Sequence, residues 1–295
     1  KRKNQFEVSF DQLWLKLESL GLVDEKHFQS ILNTGMYKYC PDTMNVTQAQ
    51  HEALTSIIHT IDSGETFPHI GQGFLARPIL IEGDAGTGKT VVATTLFYYL
   101  KTHPKYKSLK IGLVYSNPAM RNVIQQVFAH TPGLRKTDVI APIDVTKHHY
   151  DIIICDEAQR LRQAKNIGRY IVHFKKGNER LHLDNSHDEL DWLLLNAGRL
   201  ILFYDPKQIV CPSDISQTKF DGRLKDRKRG IRPVELKEQM RIHAGSQYVP
   251  YIYDILFQRN NISKKFVNYD FKLFSSFQDM WNALEEKEAA VKLCR

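Results

Sequence analysis

The sequence predicts an α/β protein in which a parallel sheet is covered by helices on both faces. Short, continuously apolar runs such as 152–155 and 200–204 alternate with stretches of helical periodicity, a pattern typical of strands buried on both faces. A glycine-rich octet follows one predicted strand, and an acidic pair ends another. With 42% apolar and 25% charged residues in 295, the chain can bury a substantial core.

The N-terminal residues 1–44 are predicted to form a small helical appendage. Ser9 and Gln12 have capping-box spacing ahead of an apolar stretch, and Gly35 can end a second helix. Nothing in this segment suggests chemistry.

Residues 45–220 are predicted to form the principal α/β domain. Its predicted strands are 78–82, 110–115, 150–155 and 199–204, and its predicted helices are 47–61, 90–101, 119–129 and 189–196.

Composition narrows the class of protein further. No apolar run approaches the ~20 residues that span a bilayer, and no apolar signal core follows the basic N-terminus. The four cysteines are scattered without a CxxC pair, which argues against a zinc site or a disulfide framework. We therefore expect a soluble cytoplasmic protein with no membrane contact. The net charge of +8 permits a polyanionic partner, although a basic surface with no special partner fits equally well.

The glycine-rich octet fits the pattern G-x-x-x-x-G-K-[ST] between a strand and a helix. It consists of Gly83, Asp84, Ala85, Gly86, Thr87, Gly88, Lys89 and Thr90. Backbone N–H groups and the helix N-terminus attract phosphate there. Lys89 would reach the β- and γ-phosphates, and the Thr90 hydroxyl would bind Mg²⁺. The sequence therefore predicts a P-loop NTPase that binds ATP with Mg²⁺.

A second part of the predicted site is the acidic end of the strand 150–155. Asp156 and Glu157 follow this strand directly, at the carboxyl edge where open α/β sheets bind ligands. We expect Asp156 to hold Mg²⁺ and Glu157 to act as the base that polarises the attacking water.

The segment 156–159, Asp-Glu-Ala-Gln, resembles the DExQ motif of superfamily 1 helicases, and further matches flank it in the expected order. Residues 47–53 resemble the motif T-x-x-Q-x-x-A, which implies that Gln50 reads the adenine edge. Ser116 and Asn117 follow the second strand, where the family contacts single-stranded nucleic acid; a simple turn is the alternative.

Two later motifs complete this resemblance. Residues 204–208 resemble the motif G-D-x-x-Q, which implies that Gln208 contacts the γ-phosphate, although Tyr204 replaces the usual glycine. Residues 239–241 resemble a motif whose arginine, here Arg241, stabilises charge on the transferring phosphate.

A closer resemblance is to the Schlafen-type (group 3) branch of helicase-like P-loop ATPases. Its signature is matched by the segments 189–192, 200–205, 212–215 and 236–241. The resemblance implies a RecA-like fold and an ATP-dependent helicase or translocase core that acts on single-stranded DNA or RNA.

Residues 221–295 are predicted to hold a basic linker and the start of a truncated second helicase-like unit. Arg227 and Arg229 could contact a phosphate backbone, or they could belong to a solvated loop. A strand over 233–236 and a helix over about 246–258 are predicted beyond them.

A second hypothesis is that the domain is a nucleotide-dependent switch or sensor in a larger defence or nuclease assembly, without unwinding activity. A small-molecule kinase is a third hypothesis, but it leaves the DExQ-like motif and Gln208 without a use.

Overall fold

The computed structural model describes residues 39–41, 46–63, 78–224, 234–238, 247–257, 264–266, 269 and 271–291. Most of the predicted appendage over 1–44 lies outside these residues, as do Arg227, Arg229 and Arg241.

Six strands form one sheet in which every pairing is parallel. They are β1 (Pro78–Gly83), β2 (Ile111–Tyr115), β3 (Val139–Ile140), β4 (Tyr150–Asp156), β5 (Ala197–Tyr204) and β6 (Val234–Leu236). Their order across the sheet is β3-β2-β4-β5-β1-β6. Strand β5 therefore lies between β1, which leads into the glycine-rich octet, and β4, which ends in the acidic pair.

Among the described residues of the first unit, the helices are α1 (Gln48–Asp62), α2 (Lys89–Thr102), α3 (Pro118–His130), α4 (Pro142–Val145), α5 (Ile171–Arg180), α6 (Glu189–Asn196) and α7 (Gln217–Leu224). Short 3-10 turns lie at Lys136–Asp138, Ala158–Arg160, Gly168–Tyr170 and Pro206–Gln208.

Two separate cores cover the two faces of the sheet. Ile79 and Ile81 of β1 point to the core made with α1, α2 and α3, whereas Leu80 points to the core made with α4 to α7. This alternation follows from the period-2 geometry of a strand. The predicted fold class, a parallel RecA-like sheet with helices on both faces, is confirmed.

The chain divides into two compact units, residues 1–238 and 239–295. The predicted boundary at residue 220 falls inside α7, which runs on to Leu224. Strand β6, predicted to belong to the later unit, pairs with β1 through Ile81 and Val234. The described sheet therefore extends beyond the predicted domain limit at residue 220. Strand β6 covers the edge that β1 would otherwise expose.

The second unit, residues 239–295, contains α8 (Tyr248–Leu256) and α9 (Phe277–Val291). Aromatic rings of α8 meet those of the following segment edge to face, with the Tyr248 and Phe266 centroids 5.3 Å apart. Within the described ranges, no helix combines the length and the apolar character needed to cross a membrane.

Candidate active site

The glycine-rich octet, Gly83 to Thr90, forms a tight loop between β1 and α2, which we call the phosphate loop. Gly88 has a φ of 86°, in the left-handed region, and it immediately precedes α2. A Cβ at Gly88 would collide with the side-chain amide of Gln50. Glycine is therefore required both for the backbone conformation and for the approach of Gln50.

Lys89 is buried at the start of α2, with 5% of its surface exposed. Its Nζ donates to the carbonyl oxygens of Gly83 at 2.6 Å and Asp84 at 3.0 Å. It also lies 3.4 Å from Asp205 Oδ2, at the end of β5. A buried ammonium needs such partners, and these fix the Lys89 ammonium between the phosphate loop and the end of β5.

The side chains of Thr90, on α2, and Asp156, at the end of β4, are in contact. The Thr90 hydroxyl donates to Asp156 Oδ2 at 2.6 Å, and the Glu157 N–H donates to Asp156 Oδ1 at 2.9 Å. Burial raises the pKa of Asp156. One hydroxyl and one carboxylate thus converge beside the phosphate loop, and oxygen ligands of this kind suit Mg²⁺. The two residues predicted to bind the metal are brought together.

Glu157 lies just beyond β4 with a φ of 55°, an unusual conformation for a residue with a side chain. Its Oε2 accepts a hydrogen bond from Gln159 Nε2 at 2.7 Å. Burial, and then the neighbouring Asp156 carboxylate, raise the pKa of Glu157. A carboxylate with a raised pKa and a fixed orientation is suited to accept a proton.

Gln159 connects the acidic end of β4 to the end of β5. It is fully buried, and its Oε1 accepts from the Asp205 N–H at 3.1 Å. The sequence motif contains this glutamine, yet its contact with Asp205 depends on the strand order, which the motif does not reveal. Gln159 and Asp205 are therefore site residues that were not among those predicted from the sequence.

Gln208 lies on the short 3-10 turn that follows β5. Its Nε2 donates to Asp205 Oδ2 at 2.6 Å, and Asp205 Oδ1 accepts from the Lys207 N–H at 3.0 Å. The carboxylate of Asp205 thus fixes the turn that carries Gln208, and the same carboxylate lies 3.4 Å from Lys89 Nζ.

Gln50 belongs to the capping box of α1. Its Oε1 accepts from the Thr47 N–H at 3.0 Å, while its own N–H donates to the Thr47 hydroxyl at 3.3 Å. The side chain is 5% exposed and lies against Gly88. Gln50 is therefore adjacent to the phosphate loop.

A cleft of about 340 Å³ opens beside the phosphate loop. It lies at the carboxyl ends of three adjacent strands, β5, β1 and β6. Its lining comprises Glu82, Gly83, Asp84, Thr87, Asp205, Pro206, Lys207, Glu235, Leu236 and Lys237.

The two predicted nucleic-acid contacts after β2 differ from each other. Asn117 caps α3, because its Oδ1 accepts from the Ala119 N–H at 2.9 Å. Ser116 is 5% exposed, and its Oγ lacks a hydrogen-bond partner among the described residues. The structure thus gives Asn117 a capping role, whereas the Ser116 hydroxyl is buried. Arg241, Arg227 and Arg229 lie outside the described residues.

The fold and the phosphate loop define a helicase-like P-loop ATPase domain. The family model "Schlafen group 3, DNA/RNA helicase domain" matches residues 77–295, and the chain belongs to this family.

One curated relative is the uncharacterized protein YPL245W of Saccharomyces cerevisiae, 26% identical over 251 residues. The match covers 73% of this chain and 52% of that protein, so the chain spans about half the length of this relative.

Solved structures that match part of this chain include domain III of the replication initiation protein DnaA from Thermotoga maritima. That match has 12% identity and a TM-score of 0.35 and covers 77% of each chain. Another is Pif1 from Bacteroides sp in complex with ADP-AlF4, with 15% identity and a TM-score of 0.35, covering 74% of this chain and 47% of that one.

Proposed function

We propose that this domain hydrolyses ATP to ADP and phosphate with Mg²⁺. The observation that carries the proposal is the convergence of Lys89, Thr90 and the Asp156–Glu157 pair at one edge of the sheet. The Thr90–Asp156 distance of 2.6 Å joins groups 66 positions apart in sequence.

Each residue of the site has a distinct role in this proposal. Lys89 and the N–H groups at the start of α2 neutralise the phosphates. Thr90 and Asp156 would hold Mg²⁺, which supplies charge neutralisation on the phosphate oxygens when bound. Glu157, oriented by Gln159, accepts a proton from the attacking water. Gln208 and Arg241 are proposed γ-phosphate contacts, and Gln50 is the proposed adenine contact.

The experiment that tests the proposal compares Lys89→Ala with Lys101→Ala. Lys101 lies on the same helix but pairs with Asp138 at 3.2 Å, away from the loop. Lys89→Ala should reduce ATP turnover by roughly a hundredfold or more because it removes the phosphate cation, whereas Lys101→Ala should retain it. Phosphate release is the measurement, with thermal unfolding as the control for folding. Equal turnover in Lys89→Ala and the unmodified chain would contradict the proposal.

We further propose that hydrolysis is coupled to single-stranded DNA or RNA, as in a helicase or translocase. The family description and the net charge of +8 support this step. The outer face of α5, together with the 3-10 turn that precedes it, also supports this step because it is basic. Its residues are spaced by three or four positions, which places them on one face of the helix. The exposed residues of that face are Arg169, His173, Lys176 and Arg180.

The inner face of α5 fixes this basic face in place. Phe174 is buried, and Asn178 Oδ1 accepts from Trp192 Nε1 at 2.6 Å. A Cβ at Gly177 would lie 2.7 Å from the Trp192 ring. The helix is thus anchored by its apolar side and presents cations outward, an arrangement suited to a phosphate backbone.

ATPase rates with and without single-stranded DNA or RNA test the coupling. Arg169→Ala/Lys176→Ala should weaken nucleic-acid binding and lower the salt dependence by about one phosphate contact per residue. Lys105→Ala/Lys107→Ala, which removes two exposed cations elsewhere, is the matched control. Absence of stimulation in the unmodified chain and in both variants would instead favour the switch or sensor hypothesis.

A further inference from the structure

Two ion pairs connect the phosphate loop to the turn that follows β5. Lys89 of the loop pairs with Asp205 of the turn at 3.4 Å, and Lys207 of the turn pairs with Asp84 of the loop at 2.9 Å. Each segment therefore contributes one cation and one carboxylate. Each lysine pairs with a carboxylate of the other segment.

The two pairs differ in burial. Lys89 and Asp205 are 5% and 1% exposed, whereas Lys207 and Asp84 are 47% and 36% exposed. An exposed ion pair contributes at most ~1 kcal/mol, and a carboxylate near the surface is readily rehydrated. The Asp84–Lys207 pair is therefore the one that an incoming anion can separate at little cost.

The position of Lys207 favours the terminal phosphate. It lies next to Gln208 on a turn whose Asp205 N–H is bonded to Gln159, the residue that orients Glu157. Lys207 and Asp84 also line the same cleft. The cation thus lies beside Gln208, the proposed γ-phosphate contact, at a cleft that borders the phosphate loop.

We propose that Lys207 is a phosphate-binding residue that exchanges Asp84 for the terminal phosphate of a nucleoside triphosphate. Asp84 competes with that phosphate for Lys207, so the ion pair sets how well the site distinguishes triphosphate from diphosphate. Asp205 keeps its bonds from the Lys207 N–H and from Gln208, so the turn stays in place when the Lys207 side chain moves. This inference rests on the proposed function, because it concerns the same nucleotide.

The test is equilibrium binding of fluorescent ATP and ADP analogues to the unmodified chain, Lys207→Met, Asp84→Asn and the double variant. Loss of one charge-assisted contact should weaken ATP binding about tenfold in Lys207→Met and leave ADP binding unchanged. Asp84→Asn should strengthen ATP binding roughly threefold, because it removes the competitor. The double variant should match Lys207→Met.

Lys237→Met is the matched control, since Lys237 lines the same cleft but pairs with Glu235 at 2.9 Å. Its ratio of ATP to ADP affinity should equal that of the unmodified chain. Equal losses in Lys207→Met and Asp84→Asn, or an equal loss in Lys237→Met, would overturn the inference and leave the ion pair a structural contact. If the unmodified chain bound neither analogue, the proposed function itself would fail.

Discussion

Asp156–Glu157 and Asp188–Glu189 are two Asp-Glu pairs of the same unit, and they differ in what their oxygens contact. Asp156, Asp188 and Glu189 are each at most 1% exposed. The first pair ends a strand, while the second begins helix α6. Composition alone therefore does not distinguish the two pairs, although Glu157 is less buried than Glu189.

In the first pair, Asp156 contacts a side chain of the phosphate loop and Glu157 contacts Gln159. Asp156 accepts from the Thr90 hydroxyl, and Glu157 is held by Gln159 through a single oxygen. The Glu157 side chain keeps lone pairs for another donor, such as water. This pair is suited to bind a metal and a proton.

The oxygens of the second pair are used by the fold. Asp188 caps α6 by accepting from Leu190 N–H at 3.1 Å, and it pairs with Lys219 at 3.1 Å. Glu189 accepts from the Arg162 N–H at 2.8 Å and from the Tyr170 hydroxyl at 2.9 Å. Caps and backbone bonds of this kind stabilise a helix terminus. Glu189 begins a segment that resembles the Schlafen-type signature, yet the contacts of both residues are structural.

Replacing Glu157 with glutamine should separate chemistry from stability at the first pair. Glutamine keeps the shape and can still accept from Gln159, but it cannot take a proton. We expect ATP turnover to fall by roughly 10²–10⁴-fold with nucleotide binding retained. Because burial already disfavours the charged form of Glu157, thermal stability should be unchanged or higher. Phosphate release and thermal unfolding, measured on the same preparation, check both parts.

Glu157→Asp is a useful companion variant, because it retains the charge but withdraws it from Gln159. Partial turnover in Glu157→Asp, with far less in Glu157→Gln, would assign the loss to the proton acceptor. Normal turnover in Glu157→Gln would contradict the assignment of the base and would make the two acidic pairs alike.

Much of the fold could be predicted because strand composition is a local signal. The predicted strand 150–155 and the observed Tyr150–Asp156 nearly coincide, as do 199–204 and Ala197–Tyr204. Strand β3 has only two residues, too few for a periodic pattern. Helix α5 is mostly polar and contains Gly177, so its sequence does not favour a helix. Tertiary packing against Trp192 compensates for that weak propensity.

The site was predictable where a motif specifies a local loop, and less so where it depends on strand order. Residues Gly83 to Thr90, Asp156 and Glu157 follow from their motifs. The link from Gln159 to Asp205 requires β5 to lie beside β4, which no local pattern encodes. Tyr204, which replaces the usual glycine, is accommodated because its ring stacks on Phe220 with centroids 4.1 Å apart.

Replacing Glu189 with glutamine should remove the pH dependence that this carboxyl gives to stability, which sharpens the contrast between the two pairs. It also removes one of the two hydrogen bonds that Glu189 accepts, a loss that is the same at every pH. Burial raises the pKa of Glu189 from 4.5 to about 7. The folded state therefore holds this proton more tightly than the unfolded state, so its contribution is present below pH 4.5 and is lost as pH rises toward 7. The unmodified chain should lose about 3 kcal/mol at most over this interval relative to Glu189→Gln, measured by urea unfolding at pH 5 and pH 8.

Glu179→Gln, at an exposed glutamate of α5, should show no such difference. Parallel profiles for Glu189→Gln and the unmodified chain would mean that Glu189 is ionised at little cost, and its burial would then not distinguish it from a surface carboxylate.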